Sequence, residues 1–328
     1  MMVRNFSHHE SLHTYRGAFL KRMRCAITSI LVLLLGCGRS PEQNALRTAN
    51  SLLKENQPQA ALDTVQSCLQ EHPGSQELLR MRVLILLKQE AFDSAVAALR
   101  SLPSSGPALA QALRHRDPSV RSGAARLIAE RSIAVDRRDM IRGLEDASPA
   151  VRRYCAIAFG KRRDITAIKP LFRLLHDDDW FVRAETAKAL GTMGDPRAAG
   201  WLVLLLNDPD GFVRFCAARS LREVAGPSNR DLLVAALGRA SASQRFDLAV
   251  ALAKLREPSS LGPLTNALNS VDANQRRRAV QALGDHCPSE ATNALARLAS
   301  DPDPTVREWA AISLLNIVNP PAATNAFP

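Results

Sequence analysis

The sequence Asp-Trp-Phe-Val-Arg (179–183) is followed 31 residues later by Asp-Gly-Phe-Val-Arg (210–214). Related strings, Asp-Pro-Ser-Val-Arg (117–121) and Asp-Pro-Thr-Val-Arg (303–307), lie on the same 31-residue grid. A fixed period of this size indicates a repeat architecture, in which each unit packs against its neighbours. The final arginine recurs at every step of the grid, at Arg121, Arg152, Arg183, Arg214, Arg245, Arg276 and Arg307.

Four residues before each of these arginines stands a residue that can cap a helix, either a serine or an aspartate. The side-chain oxygen of such a residue accepts a hydrogen bond from a free N–H group of the first helical turn. Proline follows the cap at positions 118, 149 and 304, and it suits the first helical position because it has no N–H to leave unbonded. The second helix of each repeat is therefore predicted to begin here. The aspartates of this column are Asp117, Asp179, Asp210, Asp272 and Asp303.

Apolar residues follow each arginine at helical spacing. Alanine or valine stands four residues after it, and a larger residue such as Phe159 or Leu190 stands seven residues after it. This spacing places both columns on one buried face of a helix. A first helix is predicted to end near the leucine that precedes most of the arginines by eight residues. The sequence thus predicts an all-α fold, an α-solenoid of seven 31-residue helical hairpins expected to wind as a right-handed superhelix.

The quoted strings resemble HEAT repeats, most closely the short bacterial kind named after phycobilin lyases. The resemblance covers about residues 104–318, and Gln244 and Gln275, where other repeats have valine, mark degenerate repeats of a continuous stack. It implies that the aspartate and arginine columns form a structural ladder, hydrogen-bonded within and between repeats. The alternative is a basic strip that binds phosphates or acidic partners. We favour the structural role because each arginine comes with its own capping residue.

The front of the chain has the layout of a secretory signal, with basic residues, an apolar run and then small residues. The apolar run, residues 26–35, is too short to span a bilayer, which takes about 20 residues. The string Leu-Leu-Gly-Cys (34–37) resembles the bacterial lipoprotein box, which implies cleavage before Cys37 and diacylation of its thiol. We therefore expect an exported protein, anchored to a membrane by lipid on Cys37, with residues 1–36 as its signal peptide.

Several details of this segment stay open. The alternatives are an ordinary signal peptide with a chance cysteine and a buried helix of a cytosolic protein. Translation could start at Met1, Met2 or Met23. By the resemblance, Gly38 after the cysteine favours the outer membrane, on its periplasmic side, over the inner one.

A second helical segment lies between the anchor and the solenoid, within residues 37–103. Gln-Pro-Gln-Ala-Ala (57–61) aligns with Ala-Phe-Asp-Ser-Ala (91–95), 34 residues later. Together with Phe92 and Pro73, this spacing resembles tetratricopeptide repeats, which are helical hairpins. The predicted solenoid then occupies residues 104–318, and the tail, residues 319–328, is expected to be unstructured.

The net charge of +11 does not by itself indicate nucleic-acid binding. The predicted leader carries five Lys or Arg residues and one Glu, so +7 remains, which equals the number of ladder arginines. Some alkylpurine glycosylases are HEAT-like proteins that bind DNA, but the export signal argues against a nucleic-acid partner. Acidic lipid headgroups or glycans would suit the charge better.

The cysteines and histidines predict neither a disulfide nor a metal site. Cys155 and Cys216 lie two repeats apart, about 16–20 Å at 8–10 Å per packed layer, whereas a disulfide needs Cα atoms within about 7 Å. We interpret them as buried thiols. His176 to Asp179 would offer metal ligands, but Asp179 serves as a helix cap. The His-Glu step of deoxyhypusine hydroxylases, which are HEAT proteins that bind iron, occurs here only at His9–Glu10, in the leader.

These observations predict an interaction scaffold of the cell envelope that binds protein partners and has neither a cofactor nor a catalytic site. The alternatives are a HEAT-type enzyme, similar to a phycobilin lyase or a hydroxylase, and a purely structural spacer. An exported, lipid-anchored protein is an unsuitable place for bilin attachment, which weakens the lyase alternative.

Aromatic residues indicate where a partner would bind. Eight of the eleven aromatic residues after position 104 lie between positions 154 and 215, and three occupy first turns of second helices where other repeats have small or polar residues. Exposed aromatic clusters commonly anchor interfaces, so repeats two to four form the predicted site, flanked by Arg153, Asp177 and Asp178. The alternative is that the rings cover turns of neighbouring repeats. The candidates are Tyr154, Trp180, Phe181, Phe212 and Phe215.

Overall fold

All regular secondary structure in the computed structural model is helical within the residues that it describes, 40–286 and 289–318. The predicted signal peptide, the lipid-anchor residue Cys37 and the tail 319–328 lie outside these ranges. The chain divides into two compact units, the first ending at Ser104 and the second beginning at Ser105. The boundary predicted from the sequence, between residues 103 and 104, lies one residue earlier.

The first unit contains two helical hairpins, formed by α1 (Pro41–Lys54) with α2 (Pro58–Glu71) and by α3 (Gln76–Lys88) with α4 (Phe92–Arg100). Helix α1 begins at Pro41, and its N-cap residue Ser40 accepts a hydrogen bond from the Gln43 N–H through its side chain at 3.3 Å. Helix α3 packs against α1, α2 and α4. Because neighbours surround it, its apolar residues are buried on nearly all sides rather than along one stripe.

The second unit is a stack of seven helical hairpins, which confirms the predicted all-α solenoid. Short 3-10 turns precede most first helices from the third repeat onward. The hairpins are α5 (Ser105–Leu113) with α6 (Pro118–Arg131), α7 (Arg137–Gly143) with α8 (Pro149–Arg162), α9 (Ile168–Leu174) with α10 (Trp180–Met193), α11 (Ala199–Leu205) with α12 (Gly211–Val224), α13 (Arg230–Arg239) with α14 (Ala242–Ala253), α15 (Leu261–Ala267) with α16 (Ala273–His286), and α17 (Thr292–Arg297) with α18 (Pro304–Val318).

Second helices of adjacent repeats stack closely because small residues lie where they meet. A Cβ atom added to Gly160 of α8 would stand 2.7 Å from the Cα atom of Ala189 in α10. A Cβ atom on Gly191 of α10 would stand 2.5 Å from the Oγ atom of Ser220 in α12. Any side chain at either glycine would push the helices apart. The same contact recurs between Gly284 of α16 and α18.

The fifth repeat departs from this pattern. Its first helix, α13, continues to Arg239, three residues further than the repeat length implies. On α12 of the fourth repeat, which faces the fifth, the position that corresponds to Gly160 and Gly191 holds the half-buried Arg222. As a result, α14 packs less extensively against α12 than α10 does against α8. Residues from Phe246 to Ala310 form a hydrophobic cluster around α14, α16 and α18.

The two glutamines that replace valine have local hydrogen-bonding roles. The side-chain oxygen of Gln244 accepts from the N–H of Ser241 at 2.9 Å, as in a capping box. Its amide nitrogen donates to Asn207 of the preceding repeat. Gln275 accepts a hydrogen bond from the hydroxyl of Ser270 at 2.6 Å. Both repeats therefore remain helical hairpins although they lack the common valine.

Candidate functional site: the arginine ladder and an aromatic surface

Arg183 shows how the ladder joins two repeats. Its Nη1 atom donates to the carbonyl oxygens of Asp177 and Asp178 in its own repeat, at 2.7 and 3.2 Å. Its Nε and Nη2 atoms donate to the two carboxylate oxygens of Asp208 in the next repeat, at 2.7 and 2.9 Å. Such a bidentate pair combines charge with fixed geometry. One side chain thus links the inter-helix turns of the third and fourth repeats.

Four of the seven ladder arginines make this pair, but the carboxylates are not those of the predicted aspartate column. Each carboxylate belongs to the residue two positions before a helix cap, and it also accepts the N–H of the capping residue at 2.8–3.0 Å. The N-cap aspartates instead accept from N–H groups of their own helices, as Asp179 does from Phe181 at 2.8 Å. The pairs are Arg121–Asp146, Arg152–Asp177, Arg183–Asp208 and Arg276–Asp301.

The capping role extends along the predicted column. Five aspartate caps hold at least one N–H group of the helix that follows them, and none of them takes part in the bidentate pairs above. These caps are Asp117, Asp179, Asp210, Asp272 and Asp303.

Three ladder arginines lack a carboxylate among the described residues. Arg214 and Arg307 keep the two carbonyl hydrogen bonds, which Arg214 makes to Asp208 and Pro209 at 2.7 and 2.9 Å. Arg245 is exposed and makes no hydrogen bond to the described part of the chain, so it departs from the predicted ladder. The cause lies in the fifth repeat, where α13 runs through the position that forms a turn elsewhere.

Electrostatics support a structural role for the filled pairs. Burial raises the pKa of the Asp208 carboxyl, but the hydrogen bonds from Arg183 and from the Asp210 N–H together lower it by more. The pKa of Asp208 therefore lies below its ordinary value. The hydrogen bond from Arg276 is the largest cause that lowers the pKa of Asp301. Both carboxylates are therefore held in the charged form by the ladder.

The aromatic surface consists of Tyr154 on α8, Trp180 and Phe181 on α10, and Phe212 and Phe215 on α12. Trp180, Phe212 and Phe215 retain 45%, 43% and 49% of their accessible surface, whereas Tyr154 and Phe181 are half-buried. The Trp180 ring stacks on Phe181 at 5.0 Å and meets Phe212 edge-on at 6.0 Å between centroids. Phe212 lies 6.4 Å from Phe215. The four rings on α10 and α12 thus form one continuous patch across the third and fourth repeats.

Two cations lie over the rings of this surface. The Arg153 guanidinium carbon lies 4.3 Å from the Phe181 centroid and 4.6 Å from that of Tyr154. The Lys188 Nζ atom lies 5.0 Å from the Phe212 centroid and 2.8 Å from Glu185. Cations over aromatic faces are attracted by the ring quadrupole. Lys188 and Glu185 were not among the predicted site residues, although their spacing from Phe181 places all three on one helix face.

The acidic residues predicted to flank the site have different positions. Asp177 is bound by Arg152 and so belongs to the ladder, while Asp178 is exposed. His176, adjacent to them, meets the ring of Trp201 edge-on at 6.0 Å. Trp201 also stacks on Phe172 at 5.2 Å, which makes a separate aromatic pair on the first helices α9 and α11.

Residues 40–286 and 289–318 contain neither a group of metal ligands nor a helix that could span a membrane. Within them, no three His, Cys, Asp or Glu side chains are placed to share a metal ion. No helix in the same ranges is both long and apolar enough to cross a membrane. Cys155 and Cys216 are buried free thiols, and burial raises the pKa of Cys155 to about 12.

Comparison with known families finds both kinds of repeat. The family described as HEAT repeats matches residues 137–222 and 261–327, and the family described as tetratricopeptide repeat matches residues 52–116. The chain therefore contains HEAT and tetratricopeptide repeats. A comparison with curated proteins gives no significant match.

Solved structures of similar fold are distant from this chain. The CpcE–CpcF complex of phycocyanin lyase from Nostoc sp. PCC7120 is 23% identical, covering 64% of this chain and 86% of that chain, with a TM-score of 0.44. A designed armadillo repeat protein in complex with the peptide (KR)4 is 18% identical, covering 65% of this chain and 100% of that chain, with a TM-score of 0.45. Human deoxyhypusine hydroxylase is 20% identical, covering 71% of this chain and 98% of that chain, with a TM-score of 0.28. Similarities this weak support no inference about ligands or activity.

Proposed function

We propose that this chain is a protein–protein interaction scaffold that holds a partner on its aromatic surface. The repeat fold supports such a role, because stacked hairpins form an extended surface whose neighbouring units can contact one ligand. The observation that carries the proposal is the exposure of Trp180, Phe212 and Phe215 in one continuous patch. Exposed aromatic residues in a cluster are enriched among the residues that dominate binding energy.

The local contacts account for the position of the rings but not for their exposure. Arg153 and Lys188 cover parts of Phe181 and Phe212, and Trp180 bridges α10 and α12. These contacts order the patch before a partner arrives, which reduces the entropy that binding would cost. A partner that covered the remaining ring area would gain about 25 cal/mol for each Å² of apolar surface removed from water.

The proposal includes a membrane anchor. The basic and apolar leader and the Leu-Leu-Gly-Cys string (34–37) support export and lipid attachment at Cys37. The scaffold would then act at a membrane of the cell envelope, and the tetratricopeptide repeats would lie between the anchor and the HEAT repeats in the chain. A lipid chain with a second membrane signal would give stable anchoring.

Site-specific photo-crosslinking in cells tests the proposal. The photo-reactive amino acid p-benzoylphenylalanine replaces Phe215 on the aromatic surface or, as a matched control, the exposed Leu315 in α18. We expect discrete protein adducts, identified by mass spectrometry, from position 215 and none of the same mass from position 315. The double substitution Trp180→Ala with Phe212→Ala should reduce the adducts severalfold, whereas Trp201→Ala, which removes a ring on α11, should not.

Three results would contradict the proposal. Equal adducts from positions 215 and 315 would mean that the aromatic surface has no special role in binding, and no adduct at either position would favour the structural spacer. A loss of thermal stability of several degrees from the double substitution would show that Trp180 and Phe212 belong to the core. Purified protein should therefore be melted in parallel with the crosslinking experiment.

A further inference from the structure

Arg214 holds its guanidinium group in the orientation of the filled ladder pairs. Its Nη1 atom donates to two carbonyl oxygens at 2.7 and 2.9 Å, as the Nη1 atom of Arg183 does at 2.7 and 3.2 Å. In the four filled pairs, the Nε and Nη2 atoms then bind a carboxylate at 2.7–2.9 Å. In Arg214 this edge has no partner among the described residues, and the side chain is exposed.

The missing partner has a cause in the sequence. Asp208 reaches Arg183 from 25 residues further along the chain, and the residue 25 positions after Arg214 is Arg239. Arg239 is exposed and has the same sign of charge as Arg214. The exposed Arg245 also lacks a carboxylate in the described part of the chain. In these two repeats no carboxylate of the described residues fills the Nε–Nη2 edge of the ladder arginine, whereas four other repeats fill it.

Arg214 lies on the same helix as two rings of the aromatic surface. It falls between Phe212 and Phe215 in the first turn of α12. Its Nη2 atom would lie 3.4 Å from a Cβ atom on Gly211. The equivalent residue of the preceding repeat is Trp180. Phe215 follows Arg214 directly in α12, and both side chains are exposed.

We infer that Arg214 is a carboxylate receptor within the aromatic surface, and that the partner is a peptide segment with an acidic residue flanked by apolar ones. This inference rests on the proposed function, because it names the partner chemistry of that same surface. The Asp or Glu side chain of the partner fills the Nε–Nη2 edge of Arg214 as Asp208 fills that of Arg183. The neighbouring apolar side chains of the segment pack on Phe212 and Phe215.

Bidentate binding of a carboxylate explains why an arginine suits this position. The planar guanidinium offers two parallel N–H groups, whereas a lysine ammonium offers a point charge without that geometry. The two carbonyl hydrogen bonds fix the plane of the guanidinium before the ligand binds, so little side-chain entropy is lost on binding. The charge would also accelerate association with an acidic segment at low ionic strength.

The test uses a library of random twelve-residue peptides displayed on phage, selected on the full-length purified protein. Individual selected peptides are then measured by fluorescence polarisation against the wild type and against Arg214→Gln, Arg214→Lys and Arg307→Gln. Arg307 is the matched control because it makes the same two carbonyl hydrogen bonds, at 2.7 and 3.1 Å, and lacks a carboxylate among the described residues. It lies in the seventh repeat, away from the aromatic surface.

We expect selected peptides to be enriched in Asp or Glu next to apolar residues. Arg214→Gln and Arg214→Lys should each weaken binding at least tenfold, which corresponds to about 1.4 kcal/mol, and Arg307→Gln should change it less than twofold. Replacing the acidic residue of the peptide with its amide should weaken binding to the wild type but have little further effect on Arg214→Gln.

Different results would overturn different parts of the reasoning. Peptides that lose affinity with Trp180→Ala but not with Arg214→Gln would leave the proposed function standing and refute the carboxylate receptor. Equal losses from Arg214→Gln and Arg307→Gln would also refute it, as would selected peptides without acidic residues. A phosphorylated peptide that binds more tightly than its acidic counterpart would assign the site to phosphate. A failure to select any peptide would count against both proposals.

Discussion

Replacing Arg183 with alanine tests whether the ladder stabilises the solenoid. The substitution removes four hydrogen bonds, two of them to the Asp208 carboxylate and two to carbonyl oxygens. The side chains of Arg183 and Asp208 are only 13% and 7% exposed, so the carboxylate would stay largely buried without its partner. Breaking a buried pair costs about 3–5 kcal/mol, and hydrogen bonds to charged groups contribute about 1.5–3 kcal/mol. Because some exposure remains, we expect a loss of about 2–4 kcal/mol.

Arg214→Ala is the matched comparison. It removes two carbonyl hydrogen bonds from an exposed side chain and leaves no carboxylate of the described chain unpaired. Its expected cost is about 1 kcal/mol or less. Urea unfolding followed by far-ultraviolet circular dichroism at pH 7 measures both variants against the wild type. Equal losses from the two substitutions, or no loss from Arg183→Ala, would refute the structural role of the filled pairs.

The pH dependence of Arg183→Ala provides a second check. The folded-state pKa of Asp208 is lowered, so its contribution to stability is present above the unfolded value of about 3.9 and is lost as the pH falls through the folded value. The stability difference between the wild type and Arg183→Ala should therefore shrink below about pH 4. A difference that stayed constant from pH 7 to pH 3 would mean that the Asp208 charge is not the cause.

Three further predictions concern packing, thiol reactivity and the anchor. Gly191→Ala should cost about 1–3 kcal/mol of unfolding free energy because its Cβ atom would stand 2.5 Å from the Ser220 Oγ atom. Gly238→Ala, in α13 with no atom within 4 Å of the added Cβ, should instead stabilise by up to about 1 kcal/mol in the same urea titration. Burial raises the pKa of Cys155 to about 12, so its thiol should resist iodoacetamide at pH 8 in the folded protein and react in urea. Peptide mass spectrometry measures the labelling, and rapid labelling of the folded protein would contradict this prediction. Cys37→Ser should move the protein from the detergent phase to the aqueous phase in Triton X-114 partitioning, and retention in the detergent phase would disprove lipid attachment there.

The 31-residue period was sufficient to predict the helical hairpins because each hairpin depends on local signals. Caps such as Asp179 and prolines such as Pro304 act within one helical turn, and the alanine and leucine columns repeat on one face. The extension of α13 to Arg239 was not predicted. It depends on how the turn of the fifth repeat packs, and the period of the neighbouring repeats does not encode that.

The site was predicted in part. The aromatic residues could be named from their positions in the first helical turn, but their exposure depends on the spacing of neighbouring repeats, which the sequence does not specify. The carboxylates of the ladder pairs were missed although they have a sequence signal. Asp146, Asp177, Asp208 and Asp301 recur on the 31-residue grid two positions before four of the caps, and the absence of aspartate at positions 239 and 270 marks where the ladder is interrupted.

The interruption of the ladder has a consequence for how the solenoid responds to stress. A linear repeat protein behaves as a chain of units joined by nearest-neighbour couplings, and its cooperativity is limited by the weakest coupling. Between the fourth and fifth repeats the bidentate pair is missing, and Arg222 replaces the glycine at the helix contact. The fifth repeat also lacks the pair to the sixth, because residue 270 is a serine. Heat or pulling force should therefore separate the solenoid into two blocks on either side of the fifth repeat. Such a solenoid would yield as two stiff segments joined by a compliant one rather than as a uniform rod.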